Sequence, residues 1–207
     1  MKELNKKHLE QMDKKMQSYK QTSPVEYIEL DVNGNLIYPN VPTGNETLIL
    51  INKYNPETHE SGVTITIPAG MKCEKKTGPD RNRNEASWLI FNNSKSENKK
   101  IYDTELRFFQ NLAKETDVEW ALATTENSGG GKLFTSFDHS GVNPSPAYSG
   151  GYDILIHNHT GRVHDSTGYP LPLDQGDYEN LCDLKREYDY KGIAIYSEEE
   201  KDYAYYK

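Results

Sequence analysis

The sequence predicts an α+β (or α/β) protein in which a β-rich N-terminal region precedes a mixed sheet flanked by helices. Two observations support this prediction. Short apolar or alternating runs dominate up to about residue 95, whereas helix-like and strand-like runs alternate from residue 100 onward. The polar bridge "NSKSENKK" at 93–100 separates the two patterns and is the best candidate for a domain boundary.

Three segments follow from these patterns. Residues 1–22 carry Leu and Met at helical spacing among charged residues, which predicts a solvated helical lead-in, with a partner-docking helix as the alternative. Residues 23–95 form the β-rich region, with strands predicted at "VEYIEL", "TLILI", "GVTITIPAG" and "SWLIFNN". The charged run "CEKKTGPDRNRNEAS" at 73–87 is predicted to be an exposed loop. Residues 100–207 form the second domain.

The second domain alternates helix and strand signals. Its first segment, "YDTELRFFQNLAKET", has an amphipathic helical pattern. The segments that follow are a strand "DVEWALAT", a glycine hairpin "SGGGK" at 128–132, strands "LFTSF" and "YDILIHNH", a helix "LDQGDYENLCDLKREY", and strands "KGIAIYS" and "DYAYYK". This order predicts a sheet with helices on its faces.

The composition disfavours two classes of partner. The 207-residue chain has a net charge of −8, and affinity for nucleic acid comes mostly from Lys and Arg contacts to phosphate, so no nucleic-acid partner is expected. No run approaches the roughly 20 apolar residues of a membrane helix. The N-terminal "MKELNKKHLEQMDKKMQSYK" lacks the apolar core of a secretory signal, so we expect no membrane partner and a location in the cytoplasm of the producing cell.

Histidines and aspartates are concentrated in "HNHTGRVHDSTGYPLPLDQGDYENL" at 157–181. His157 and His159 alternate along a predicted strand, so their rings project from the same side of it. A carboxylate that opens the next helix can complete a set of three ligands and leave a fourth position open, as in catalytic zinc sites. Asp177 is the preferred third ligand, and Asp174 is the alternative in a shifted register. A pair of edge histidines without metal is the competing interpretation.

The same segment resembles the motif of the JAB/MPN (JAMM) zinc metallopeptidases, in which HxH is followed by S-x-x-D. That family also carries a glutamate just after its first helix, where this chain has Glu119 in "DVEWAL". The order of elements over residues 100–207 is similar to the family's fold. The resemblance implies a hydrolase of peptide or isopeptide bonds with His157, His159 and Asp177 binding Zn²⁺. It also implies that Glu119 is the general base.

The chain departs from the family pattern at three places. Asp174 stands where the motif has a serine, and that serine helps to stabilise the tetrahedral oxyanion. Loss of one oxyanion donor typically costs about 100- to 1000-fold in rate, so Asp174 is a catalytic position at which activity is reduced or altered. Residues 120–122, Trp-Ala-Leu, replace glycines, and Thr160 replaces a proline. His164, which lies in the loop between His159 and Asp174, is predicted to be a solvated histidine outside the site.

Further implications about function come from the family alone. Its bacterial relatives occur as C-terminal modules of secreted polymorphic toxins, which implies a protein or peptide substrate. A toxin would also imply a cognate inhibitor protein and a non-classical secretion route. Some members of the fold have lost the metal and act as interaction scaffolds, which is the alternative function. A metal-dependent nuclease is a third alternative that the acidic charge disfavours.

Overall fold

The computed structural model describes residues 26–31, 47–52, 63–68, 71–80, 82–93, 99–125, 130–138 and 141–207. Two predictions fall outside the described residues. They are the helical lead-in over 1–22 and the tip of the glycine hairpin at 128–129.

Ten strands and two α-helices form in the described part of the chain, which has an α+β architecture. The strands are β1 (Glu26–Asp31), β2 (Thr47–Asn52), β3 (Val63–Thr66), β4 (Lys72–Pro79), β5 (Glu85–Asn92), β6 (Ala121–Thr124), β7 (Lys132–Thr135), β8 (Ile154–His159), β9 (Gly192–Ser197) and β10 (Asp202–Tyr206). The helices are α1 (Lys99–Glu115) and α2 (Gln175–Tyr188), and a 3₁₀ turn covers Ser145–Tyr148. Neither of these helices is long and apolar enough to span a membrane.

The strands form two sheets. In the smaller sheet, β2 lies between β1, to which it is parallel, and β3, to which it is antiparallel. The larger sheet has the order β10-β9-β8-β6-β7-β5-β4 and is mixed, because β8 and β9 are parallel while its other pairs are antiparallel. It takes strands from both sides of the predicted boundary at 93–100, and the domain division itself stays a prediction.

Apolar side chains cover both faces of the larger sheet. On one face, α1 and the smaller sheet contribute to a single core cluster that includes Leu30, Ile65, Phe109, Leu112, Phe91 and Leu122. On the other face, α2 contributes to a second cluster that includes Leu181, Leu184, Ile90, Ala121, Leu155 and Ile193. A strand that is buried on both faces needs consecutive apolar residues, which explains the apolar runs 121–123 in β6, 154–156 in β8 and 193–195 in β9.

The prediction of a loop over 73–87 is wrong, because residues 72–79 form strand β4. This strand pairs with β5 in antiparallel register, for example Cys73 with Phe91 and Lys75 with Leu89. It ends the order of the larger sheet, and most of its side chains are exposed. A strand at the edge of a sheet need not alternate apolar and polar residues. Its lysines are typical of edge strands, where charge prevents pairing with other chains.

Candidate metal centre

Strand β8 ends at the two predicted metal ligands. The pleat places the rings of His157 and His159 on the same face, with their Nε2 atoms 3.2 Å apart. His157 is buried, with 4% of its surface exposed, and His159 is partly exposed at the end of the strand. The backbone of His157 pairs with β6 on one side and with β9 on the other, and the backbone of His159 pairs with β9.

The first turn of α2 brings a carboxylate to these rings. Asp177 Oδ1 lies 3.1 Å from His157 Nε2, and Asp177 Oδ2 lies 3.4 Å from His159 Nε2. Asp177 Oδ2 is buried and has no hydrogen-bond partner among the described residues. An unsatisfied buried carboxylate oxygen costs free energy, and a cation between it and the rings would remove that cost.

These three residues fit a small divalent cation. Each offers a ligand atom, and the three atoms lie within 4.8 Å of one another. Tetrahedral ligands of zinc lie about 3.3 to 3.5 Å from each other, which is close to the separations above. Two imidazoles and one carboxylate bind zinc and other first-row ions such as iron(II), whereas calcium and magnesium prefer oxygen ligands alone. The group can therefore hold a metal ion.

Asp174 has a different local role, since it is the N-cap of α2. Its Oδ1 accepts a hydrogen bond of 2.8 Å from the Asp177 N–H, and its carbonyl oxygen accepts from the Tyr178 N–H. The D-x-x-D spacing thus joins the N-cap to the third residue of the helix. Serine and aspartate are about equally good N-caps, so Asp174 starts the helix as a serine would but brings a carboxylate instead of a hydroxyl donor.

Glu119 reaches the centre from the segment before β6. Its Oε1 lies 4.0 Å from His159 Nε2. The sequence predicts Glu119 within a strand, but β6 begins at Ala121, so other groups hold its backbone. The Glu119 N–H donates to the carbonyl of Asp138 at 2.9 Å, and Thr135 Oγ1 donates to the Glu119 carbonyl at 2.7 Å.

Burial and mutual charge shift the protonation of all four groups. Burial raises the pKa of Glu119 to about 7, an effect that His157 opposes and Asp177 reinforces. Burial lowers the pKa of His157, but its hydrogen bond to Asp177 and the nearby carboxylates outweigh this and raise it. Burial, together with the charge of His157, lowers the pKa of His159. Burial raises the pKa of Asp177, but the hydrogen bond and charge of His157 lower it overall.

A cleft of about 120 Å³ opens beside the centre. Its lining residues are Glu119, Gly141, Val142, Pro144, Leu155, His157, His159, Asp174, Gly176, Asp177, Asn180 and Ile193. The loop at 141–144 lines the cleft through Gly141, Val142 and Pro144. Asn180 was not predicted from the sequence, although it follows Asp177 by three residues and so shares its helix face.

The remaining histidine of the motif segment lies apart from the metal group. His164 Nδ1 is 3.0 Å from Glu200 Oε2, and Glu200 also accepts from the Val163 N–H and from Arg162 Nε at 3.0 Å each. These hydrogen bonds lower the pKa of Glu200 to about 2, and the bond from the Val163 N–H has the largest effect. His164 therefore joins its loop to the turn after β9 and is not part of the metal group.

Comparison with known proteins adds no assignment. The chain matches no protein-family model, and neither a curated protein nor a solved structure matches it. What the structure defines is an α+β protein with a candidate metal centre. The resemblance to the JAB/MPN metallopeptidases stays a prediction that rests on the motif residues.

We expect the protein to bind one zinc ion per chain and the variants His157→Ala and Asp177→Ala to lose it. Mutating a residue that hydrogen-bonds a metal ligand typically lowers metal affinity by about 10- to 100-fold. Removing a ligand itself should lower zinc affinity by more than that. Competition with a chromophoric chelator measures the affinity. His164→Ala is the matched control and should bind as the wild type does. Equal loss in that control, or no uptake by the wild type, would contradict the assignment.

Zinc affinity should fall as the pH falls. The pKa of His157 is raised, so this ring is protonated, and unable to coordinate, up to a higher pH than an ordinary histidine. Displacing one proton predicts a loss of about tenfold in affinity per pH unit below that pKa, with a plateau above it. Calorimetry in buffers of different ionisation enthalpy counts the released protons. Affinity independent of pH between about 6 and 8 would contradict a raised pKa for His157 in the metal-free protein.

Proposed function

We propose that this protein is a zinc-dependent hydrolase that cleaves peptide or isopeptide bonds. The observation that carries the proposal is the convergence of His157, His159 and Asp177 at one cleft that also contains Glu119. Zinc held there would act as a Lewis acid and lower the pKa of a water molecule to about 7. The motif order along the chain agrees with this assignment.

Glu119 is suited to accept and return a proton. Its Oε1 lies 4.0 Å from His159 Nε2, so it faces the same space as the ligand atoms. Burial raises its pKa to about 7 in the absence of metal, and a positive charge beside it would lower that pKa and ionise it. The carboxylate can then take a proton from the attacking water and deliver it to the leaving amine.

Asp174 limits the rate that this centre can reach. Asp174 lines the cleft but supplies no hydroxyl donor for a developing oxyanion, and its Oδ1 already accepts a hydrogen bond from the Asp177 N–H. A negative charge there opposes the charge that forms on the substrate oxygen. Asp174 therefore occupies a catalytic position, and its negative charge there slows hydrolysis.

The same residue favours a second candidate function, an interaction scaffold built on this fold. A scaffold needs the cleft to bind a protein but does not need an oxyanion donor. Zinc content and hydrolysis together separate the two functions. A bacterial toxin or effector role, with a cognate inhibitor protein as partner, extends the first proposal by analogy with the family.

Glu119→Gln should abolish hydrolysis without loss of zinc. Gln has the shape of Glu but cannot take a proton, and a general base typically contributes about 100- to 10,000-fold. The substrates are two panels, one of unmodified peptides and one of peptides joined through a lysine ε-amine, with cleavage followed by mass spectrometry. A zinc-loaded wild type that cuts neither panel would leave the scaffold as the function. His164→Ala is again the control.

Asp174→Ser should raise kcat. It restores a hydroxyl donor, keeps an N-cap, and removes a negative charge, so we expect at least a tenfold gain, part of the roughly 100- to 1000-fold that one donor supplies. Asp174→Ala is the matched comparison, because it removes the charge and the cap without adding a donor. It should gain less and lose about 1 kcal/mol of stability to urea. Equal rates in the two variants would rule out an oxyanion role for this position.

A further inference from the structure

The residue between the two candidate ligands makes contacts that the site chemistry does not explain. Asn158 points to the opposite face of β8, the face covered by α1, and only 2% of its surface is exposed. Its Oδ1 accepts a hydrogen bond of 2.7 Å from the Trp120 N–H, and its Nδ2 donates to Glu198 Oε1 at 2.7 Å. The Asn158 N–H also donates to the Trp120 carbonyl at 3.3 Å. A buried amide with both ends bonded fixes its neighbours strongly.

Trp120 is the residue next to Glu119, and neither belongs to β6. The ladder between β6 and β8 begins with Ala121 opposite His157, so pairing within the strands does not fix Glu119. Its backbone is instead held by groups from two directions. The Asp138 carbonyl accepts from the Glu119 N–H, Thr135 donates to the Glu119 carbonyl, and Asn158 accepts from the Trp120 N–H of that same peptide group.

We propose that Asn158 is a positioning residue that sets the place of Glu119 relative to the metal ligands. It is covalently joined to both His157 and His159, and it is hydrogen-bonded to the peptide group beside Glu119. One residue therefore links the general base to the ligand pair. This inference rests on the proposed hydrolase function, because positioning matters only if Glu119 acts on the substrate water.

Asn158→Ala should lower kcat and change little else. The β-ladder still holds His157 and His159, so zinc affinity should stay within a few-fold of the wild type. Loss of a group that orients the site typically costs about 10- to 100-fold, and we expect that loss in kcat with KM nearly unchanged. A purely structural role would lower the stability to urea and leave kcat per folded molecule unchanged.

A rescue tests the bond directly. Asn158→Asp keeps an acceptor for the Trp120 N–H but places a second carboxylate against Glu198, so this single variant should be impaired. Adding Glu198→Gln supplies a side-chain donor to the new aspartate and restores the pair with reversed polarity. The double variant should recover most of the wild-type kcat, whereas Glu198→Gln alone should not exceed it.

Two further variants separate positioning from general destabilisation. Thr135→Val removes the hydroxyl that binds the Glu119 carbonyl and should lower kcat as Asn158→Ala does. Thr116→Val is the matched control, because Thr116 Oγ1 accepts from Trp120 Nε1 at 2.8 Å and is buried in the same core. Thr116→Val removes a buried hydrogen bond from the Trp120 side chain and leaves the hydrogen bonds of the Glu119 backbone in place, so kcat should be unchanged.

A readout independent of hydrolysis comes from the cobalt-substituted protein. Glu119→Ala should shift the visible absorption of bound Co²⁺, and Asn158→Ala should shift it in the same direction. The double variant Asn158→Asp/Glu198→Gln should recover the wild-type spectrum. A chain that binds cobalt but hydrolyses nothing would overturn the hydrolase proposal alone, since the spectra still test positioning. The positioning role alone would be overturned if Asn158→Ala kept the wild-type spectrum and kcat. It would also be overturned if Thr116→Val lost as much kcat as Asn158→Ala. No cobalt uptake would overturn both.

Discussion

The placement of β8 between β6 and β9 is the constraint on which the rest of the centre depends. The antiparallel pairing with β6 sets Ala121 opposite His157 and so carries Glu119 to the edge where the histidines end. The parallel pairing with β9 requires a crossover connection, which α2 supplies. Because that crossover starts at the C-terminal end of β8, the first turn of α2 lies beside the histidines and delivers Asp177.

The centre concentrates polar groups that cost free energy unless a cation joins them. Two imidazoles meet one carboxylate, a second carboxylate caps the helix, and the partly buried Glu119 has a pKa raised to about 7. Such a group of charges persists because the surrounding fold fixes it from both faces of the sheet, with α1 on one side and α2 on the other.

Prediction from the sequence succeeded where one residue type dominates a local pattern. Continuous apolar runs marked β2, β8 and β9, and the alternation of His157 and His159 put both rings on one face. It failed at β4, whose exposed edge position removes the apolar signal. It also missed Asn158, since the bond to Trp120 joins positions that are 38 residues apart and leaves no trace in either local segment.

The sequence by itself determined most local features: the apolar strands, the two amphipathic helices, and the common face of the two histidines. These depend on side-chain periodicity and on bonds a few residues long. Only the tertiary structure decided that Asp177 rather than Asp174 meets the rings and that Glu119 stands just outside β6. It also decided that strands from the first half extend the larger sheet. Those outcomes depend on strand order and helix placement, which distant parts of the chain fix together by burying one shared core.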